Sequence, residues 1–197
     1  GTLVNFAKYP EMAVIDDNTL EIVKKLNNDA KNHIVIISGR GKDFLERQFK
    51  DVPITLVAEH GYFIRKAGEL WKSTIGADTQ WKESVMPILQ EYVNRCNGTF
   101  IEEKTGSLAW HYRNADSDFA QLRPHELRDY LTEIIHYKTD LEILEGNKVL
   151  EVKSGKYDKG QAAAALLMDN YHDFILAAGD DNTDEFLFQT LPDSAYS

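Results

Sequence analysis

The chain has 197 residues, 43% hydrophobic and 27% charged, with a net charge of −10: the composition of an ordinary globular protein with room for one large or two small domains. The acidic balance argues against nucleic acid or an anionic membrane as partner, since both are held by basic surfaces, but a metal and a few local cations leave room for an anionic small-molecule substrate. Cys96, the only cysteine, excludes an intrachain disulfide and points to a reducing, cytoplasmic setting; no run approaches the roughly 20 apolar residues of a membrane span, and no signal peptide or internal repeat is visible.

Helical periodicity starts near Asp17, with Leu20, Val23, Leu26 and Ala30 on one face. His33–Ile37 is a continuous apolar run, as expected of a strand covered on both faces. Ser38-Gly39-Arg40 follows, then a short helix through Phe44, Leu45 and Phe49. Ile54–Ala58 reads as a second buried strand leading into Glu59-His60-Gly61, and this alternation predicts a parallel sheet with helices on both faces. After Gly61 the texture changes. Residues 62–65 and 69–71 read as a hairpin about Lys66-Ala67-Gly68. A helix carries Trp81, Val85, Leu89, Tyr92 and Val93, and residues 100–104 and 107–113 form a hairpin near Thr105-Gly106. A helical stretch from about Ser117 to Tyr137 follows, broken early by Pro124, and then a last hairpin about Gly146-Asn147. Along residues 107–113, Leu108, Trp110 and Tyr112 share one face and Ala109, His111 and Arg113 the other; Leu150 and Val152 pack on the helices, which leaves Glu151 and Lys153 open.

Two hairpins and two helices make a four-stranded antiparallel α+β unit, 76–153, set as a cap between two halves of an α/β core, 1–75 and 154–197. The core resumes at Lys159-Gly160 and a helix over 162–167. Phe174–Ala177 reads as a buried strand that ends in Gly179-Asp180-Asp181-Asn182-Thr183-Asp184, with Thr183 or Asn182 as N-cap of the helix carrying Phe186-Leu187-Phe188. Asp180, Asp181 and Asp184 therefore sit where a strand's carboxyl end meets a helix, the edge at which open α/β sheets bind ligands. Packed like charges need a cation or proton to offset them, and hard oxygen ligands suit Mg²⁺; a solvated acidic turn is the plainer alternative.

Ile37-Ser38-Gly39-Arg40, Ala58-Glu59-His60-Gly61, Asp158-Lys159-Gly160 and the run GDDNTDEF resemble the haloacid-dehalogenase-like phosphatases. Within them, residues 107–113 (SLAWHYR) and 145–152 (EGNKVLEV) are similar to trehalose-6-phosphate phosphatases, including those fused behind a trehalose-phosphate synthase domain. The resemblance covers nearly the whole chain. It implies a Rossmann-type parallel core with an inserted cap and Mg²⁺-dependent hydrolysis of a phosphosugar through an aspartyl-phosphate, most readily trehalose 6-phosphate, with another phosphosugar such as sucrose phosphate, or a non-catalytic appendage of a synthase, as alternatives. Asp180 would be a metal ligand, Asp181 a second ligand or its support, and Asp184 the group that orients Lys159. Ser38 would donate to a phosphoryl oxygen, unless it N-caps the next helix, and Lys159 would bring its ammonium to the same group. Arg40 is either a phosphate contact or an ion-pair partner; His60 with Gly61 is either a substrate contact or a plain turn. Lys104, His111, Arg113, Glu145, Lys148 and Glu151 would read the sugar hydroxyls, the alternative being a solvated face of weak ion pairs.

The family motif Asp-x-Asp-Gly-Thr, which carries nucleophile and general acid, meets this sequence only at Gly1-Thr2. A polypeptide of these residues alone is therefore expected to be inactive, with a gap between the strand ending at Ile37 and that ending at Ala178.

Overall fold

The structure, a computed structural model, describes residues 1–74, 76, 78–115, 117–136, 140–169 and 171–197, and only the backbone of residues 117–121. The chain divides into two compact units: Gly1–Ile75 with Tyr157–Ser197, and Gly76–Lys156.

The first unit opens with α1 (Asp17–Asn27), capped by Asp16, whose side chain accepts from the Thr19 N–H at 2.7 Å. The helix stops short of Ala30: Asn32 donates to the freed Leu26 carbonyl, and the Asp29 side chain accepts from the Lys31 N–H, local bonds that compete with another turn. Strand β1 (Val35–Ile37) leads to α2 (Lys42–Gln48) and to β2 (Thr55–Ala58), with which β1 pairs in parallel, Ile36 opposite Leu56. β2 is fully buried, but β1 is only half-buried, because β2 is its one strand partner among the described residues. β3 (Phe63–Arg65) and β4 (Lys72–Ser73) extend the sheet antiparallel. The second arm of this hairpin thus lies beyond residues 69–71. Glu69 closes a turn onto the Lys66 carbonyl, and Trp71 packs edge-on against Phe63 instead of pairing.

In the second unit, α3 (Lys82–Arg95) is followed by β5 (Phe100–Glu103), β6 (Ser107–His111), α4 (Ser117–Ile135), β7 (Leu141–Gly146) and β8 (Val149–Ser154). The sheet order is β5-β6-β8-β7, all antiparallel. Leu108, Trp110, Leu150 and Val152 pack against Val85, Leu89 and Tyr92 of α3 and Leu127 and Leu131 of α4. α4 runs unbroken through Pro124, contrary to the break expected there; the ring is buried, and the packing of Leu127 and Leu131 holds the helix together across one lost hydrogen bond. Tyr137, the expected end of this helix, lies outside the described residues.

The chain returns to the first unit in α5 (Lys159–Met168), capped by Asp158, and ends after α6 (Asp184–Thr190). Ala162 and Leu166 of α5 cover Val57 on one face of the sheet, and Leu45 and Phe49 join the core on the other. The run 174–177 is not a buried strand. Its strand pairing among the described residues is a parallel bridge between Leu176 and Tyr196, and Phe174 and Leu176 remain 65% and 69% exposed, since burying a strand takes neighbours on both edges and a covered face.

Candidate active site

Ser38 continues β1 by one residue, donating its N–H to the Val57 carbonyl at 3.0 Å. Its hydroxyl oxygen accepts from the Arg40 N–H at 3.2 Å, while Gly41 holds the N-cap position of α2. Ser38 therefore closes a local turn and does not cap the helix, and its hydroxyl keeps its proton to donate. The Arg40 guanidinium lies over the Phe44 ring. The loops after β1 and β2 are bonded to each other: Glu59 donates to the Arg40 carbonyl at 2.9 Å and His60 to the Ser38 carbonyl at 3.0 Å.

Lys159, first residue of α5, is an unfavourable place for a cation in the helix dipole. It is buried all the same, and its Nζ donates to Asp184 Oδ1 at 2.7 Å. The other Asp184 oxygen accepts from the N–H groups of Asp180 and Asp181, each at 3.0 Å. This close wrap needs glycine at 179, where a Cβ would lie 2.4 Å from Asp184 Cγ. Thr183, in the N-cap position of α6, makes no side-chain cap bond; Asp184 ties the loop instead. Asp180 is exposed, and Thr2 Oγ1 donates to its Oδ1 at 2.7 Å. That bond, with the positive charge of Lys159, holds the carboxyl below its ordinary value against the opposing effect of burial. Gly61 adjoins the residue before Lys159, since a Cβ there would meet the Asp158 carbonyl oxygen at 2.6 Å. One unit thus joins Ser38, Arg40, His60, Gly61, Lys159, Asp184, Asp180 and Asp181 through neighbouring contacts.

Among the described residues, no three His, Cys, Asp or Glu side chains converge to hold a metal. An exposed carboxylate held ionised still fits Mg²⁺, which takes one or two carboxylates and fills its octahedron with water and phosphate oxygens.

On the second unit's sheet, Glu151 lies opposite Ala109, which lies opposite Glu102, so both carboxylates share the face turned from the helices. Glu151 is buried and accepts from Lys104 Nζ at 2.8 Å and from Ser107 Oγ. His111 Nε2 lies 2.8 Å from Glu102 Oε2 and stacks on Phe100, ring centroids 4.7 Å apart. Burial pushes the Glu102 carboxyl up, but the His111 hydrogen bond and the charges of Lys104 and His111 outweigh it and hold the group below its ordinary value. Arg113 lies elsewhere: β6 ends at His111, and the guanidinium donates to the Asn147 carbonyl at 2.7 Å and side chain at 3.1 Å, latching the β7–β8 turn. Glu145 pairs with Arg128 of α4 at 3.2 Å, and the Lys148 ammonium lies over the Tyr112 ring. Sequence reasoning had missed Glu102 and Ser107, although Glu102 stands two residues before Lys104 and period two already puts them on one face.

A model of the trehalose-phosphatase family matches residues 1–195. The chain belongs to the trehalose-phosphatase family. It is 41% identical, over all its length, to a bifunctional trehalose-6-phosphate synthase/phosphatase of Thermoproteus tenax, of which it spans 27%. The C-terminal domain of C. albicans trehalose-6-phosphate phosphatase is similar at a TM-score of 0.92 and 32% identity, covering 96% of this chain and 70% of that one. A haloacid dehalogenase-like hydrolase of B. subtilis, 12% identical, aligns at a TM-score of 0.67 over 96% of this chain and 84% of its own, a likeness of fold alone. The fold is haloacid-dehalogenase-like. The chain spans about a quarter of the length of the curated relatives it matches. Among the described residues no helix is long and apolar enough to cross a membrane.

Proposed function

We propose that this family member hydrolyses trehalose 6-phosphate to trehalose and phosphate, with residues 76–153 as the unit that sets substrate specificity. The observation that carries this reading is the pairing of a buried ammonium, Lys159, and a hydroxyl, Ser38, in one unit with a polar sheet face built of Lys104, Glu151, Ser107, Glu102 and His111 in the other. Ser38 donates its hydroxyl proton to a phosphoryl oxygen. Lys159, aimed by Asp184, brings a positive point charge to the same group, and Arg40 and Gly61 line the loops beside it. Asp180, with Asp181, would hold Mg²⁺, which would supply charge neutralisation at the phosphoryl group. Lys104, Glu151 and His111 read sugar hydroxyls, while Arg113, Glu145 and Lys148 shape the turn and rim that carry them. In the cytoplasm, an attached synthase domain would supply the phosphosugar.

The test is phosphate release by the full-length protein from trehalose 6-phosphate, sucrose phosphate and glucose 6-phosphate, with Mg²⁺ and with excess chelator. Fastest release from trehalose 6-phosphate, lost on chelation, is expected. Preference for sucrose phosphate would overturn the substrate, and absence of release from all three would overturn the enzyme.

A further inference from the structure

The turn after β2 holds three consecutive residues at positive φ: Glu59 at 49°, His60 at 59° and Gly61 at 115°. Two of them carry side chains, and left-handed backbone is uncommon for such residues and persists only where the surroundings over-determine it. Here they do. The Glu59 and His60 N–H groups leave the sheet ladder and bond the Arg40 and Ser38 carbonyls, and Thr74 Oγ1 donates to the Gly61 carbonyl at 2.8 Å. The His60 imidazole lies directly on Gly39, where a Cβ would stand 2.4 Å from Nε2 and 2.5 Å from Cε1.

We propose that His60 is a positioning residue: its left-handed backbone and its ring on Gly39 form the mould that sets the Ser38–Arg40 loop. This rests on the reading of Ser38 as the phosphoryl hydrogen-bond donor. The Ser38 peptide is fixed on one side by the Val57 carbonyl and on the other by the His60 N–H, so the position of Oγ follows His60. The ring occupies the space a side chain at 39 would need, so any side chain there requires the imidazole to move. His60 then acts on every phosphomonoester alike, whatever the alcohol.

The experiment uses the full-length protein carrying Gly39→Ala, His60→Gly, His60→Asn, His60→Val, the Gly39→Ala/His60→Gly double change and Ser38→Ala. The readouts are kcat and KM on trehalose 6-phosphate and on an aryl phosphate, inhibition by inorganic phosphate, and melting temperature. Gly39→Ala should cut kcat/KM about 10²-fold on both substrates, the scale of an ångström-sized misplacement, and weaken phosphate inhibition. The same change should cost only a few-fold more in the His60→Gly background, where the ring is gone. His60→Asn, which accepts left-handed backbone, should retain more activity than the β-branched His60→Val. Should Gly39→Ala not fold, recovery of folded protein in the His60→Gly background carries the same coupling. Additive losses in the double variant would overturn the proposal, as would losses at His60 confined to trehalose 6-phosphate, which would mark a sugar contact. Unchanged turnover in Ser38→Ala would instead overturn the reading of Ser38, with the Gly39–His60 coupling still visible in the melting temperatures.

Discussion

Lys159 and Asp184 form the kind of pair that is costly to break and unremarkable to keep. Their side chains are 8% and 9% exposed, so the Coulomb gain is largely spent on desolvation, yet removing one charge strands the other away from water. Asp184→Asn should therefore destabilise the protein by about 3–5 kcal/mol, read as a fall in the urea midpoint; a change below about 0.5 kcal/mol, typical of surface sites, would contradict the buried pair. Asp180→Asn, at an exposed carboxylate, should leave the midpoint nearly unchanged and, if Asp180 is the proposed Mg²⁺ ligand, abolish Mg²⁺-dependent turnover; full activity in that variant would overturn that proposal. Glu102 gives a pH signature. Its folded carboxyl titrates below the ordinary 4.5, so between the folded and ordinary values the unfolded chain binds more protons. Its stabilisation is complete above about 4.5 and is lost as pH falls through the folded value. His111→Gln should flatten this acid limb in pH-dependent unfolding, and an unchanged limb would contradict the pairing. Part of this was legible residue by residue: the types and spacing in GDDNTDEF put three carboxylates in one loop, although among the described residues no three such side chains converge on a common point. That Asp184 is consumed by Lys159 and two N–H groups, leaving Asp180 open, depends on the path of the loop over Gly179.

At the scale of elements, period two assigned the second unit's sheet correctly where the strands are regular. Leu108, Trp110, Leu150 and Val152 face the helices and Glu151 faces away, but Glu151 and Lys153 are buried rather than open, since Lys104 and Ser107 cover the one and Glu142 pairs with the other. Leu108→Ala should cost about 2–5 kcal/mol, because a fully buried side chain leaves a cavity between sheet and helices, whereas Leu70→Ala, 86% exposed in the β3–β4 loop, should stay within about 0.5 kcal/mol; equal midpoint shifts would contradict the assigned core. Period two failed where strands end. Arg113 lies past the last residue of β6, so alternation no longer governs it, and Glu145 shares its parity with Ile143 and so meets α4, a relation the sequence contained but that nearness to a turn obscured. Phe174–Ala177 was misread for a different reason. An apolar run shows that a segment can be buried, while burial itself depends on neighbours distant in sequence, and the parallel bridge to Tyr196 supplies one edge.

For the molecule as a whole, the proposed function divides the work between two units that interrupt one another in sequence: the phosphoryl group belongs to Ser38, Lys159 and the Asp180 carboxylate, and the sugar to the face around Glu151. The two sets of contacts should then fail independently. The most direct measurement is kcat/KM of the full-length protein and its Glu151→Ala and Ser38→Ala variants on trehalose 6-phosphate and on a small aryl phosphate. Glu151→Ala should lose about 1.5–3 kcal/mol of transition-state stabilisation on the disaccharide, the value of a hydrogen bond to a charged group, and little on the aryl phosphate, while Ser38→Ala should lose equally on both. Equal losses on both substrates in Glu151→Ala would contradict the division.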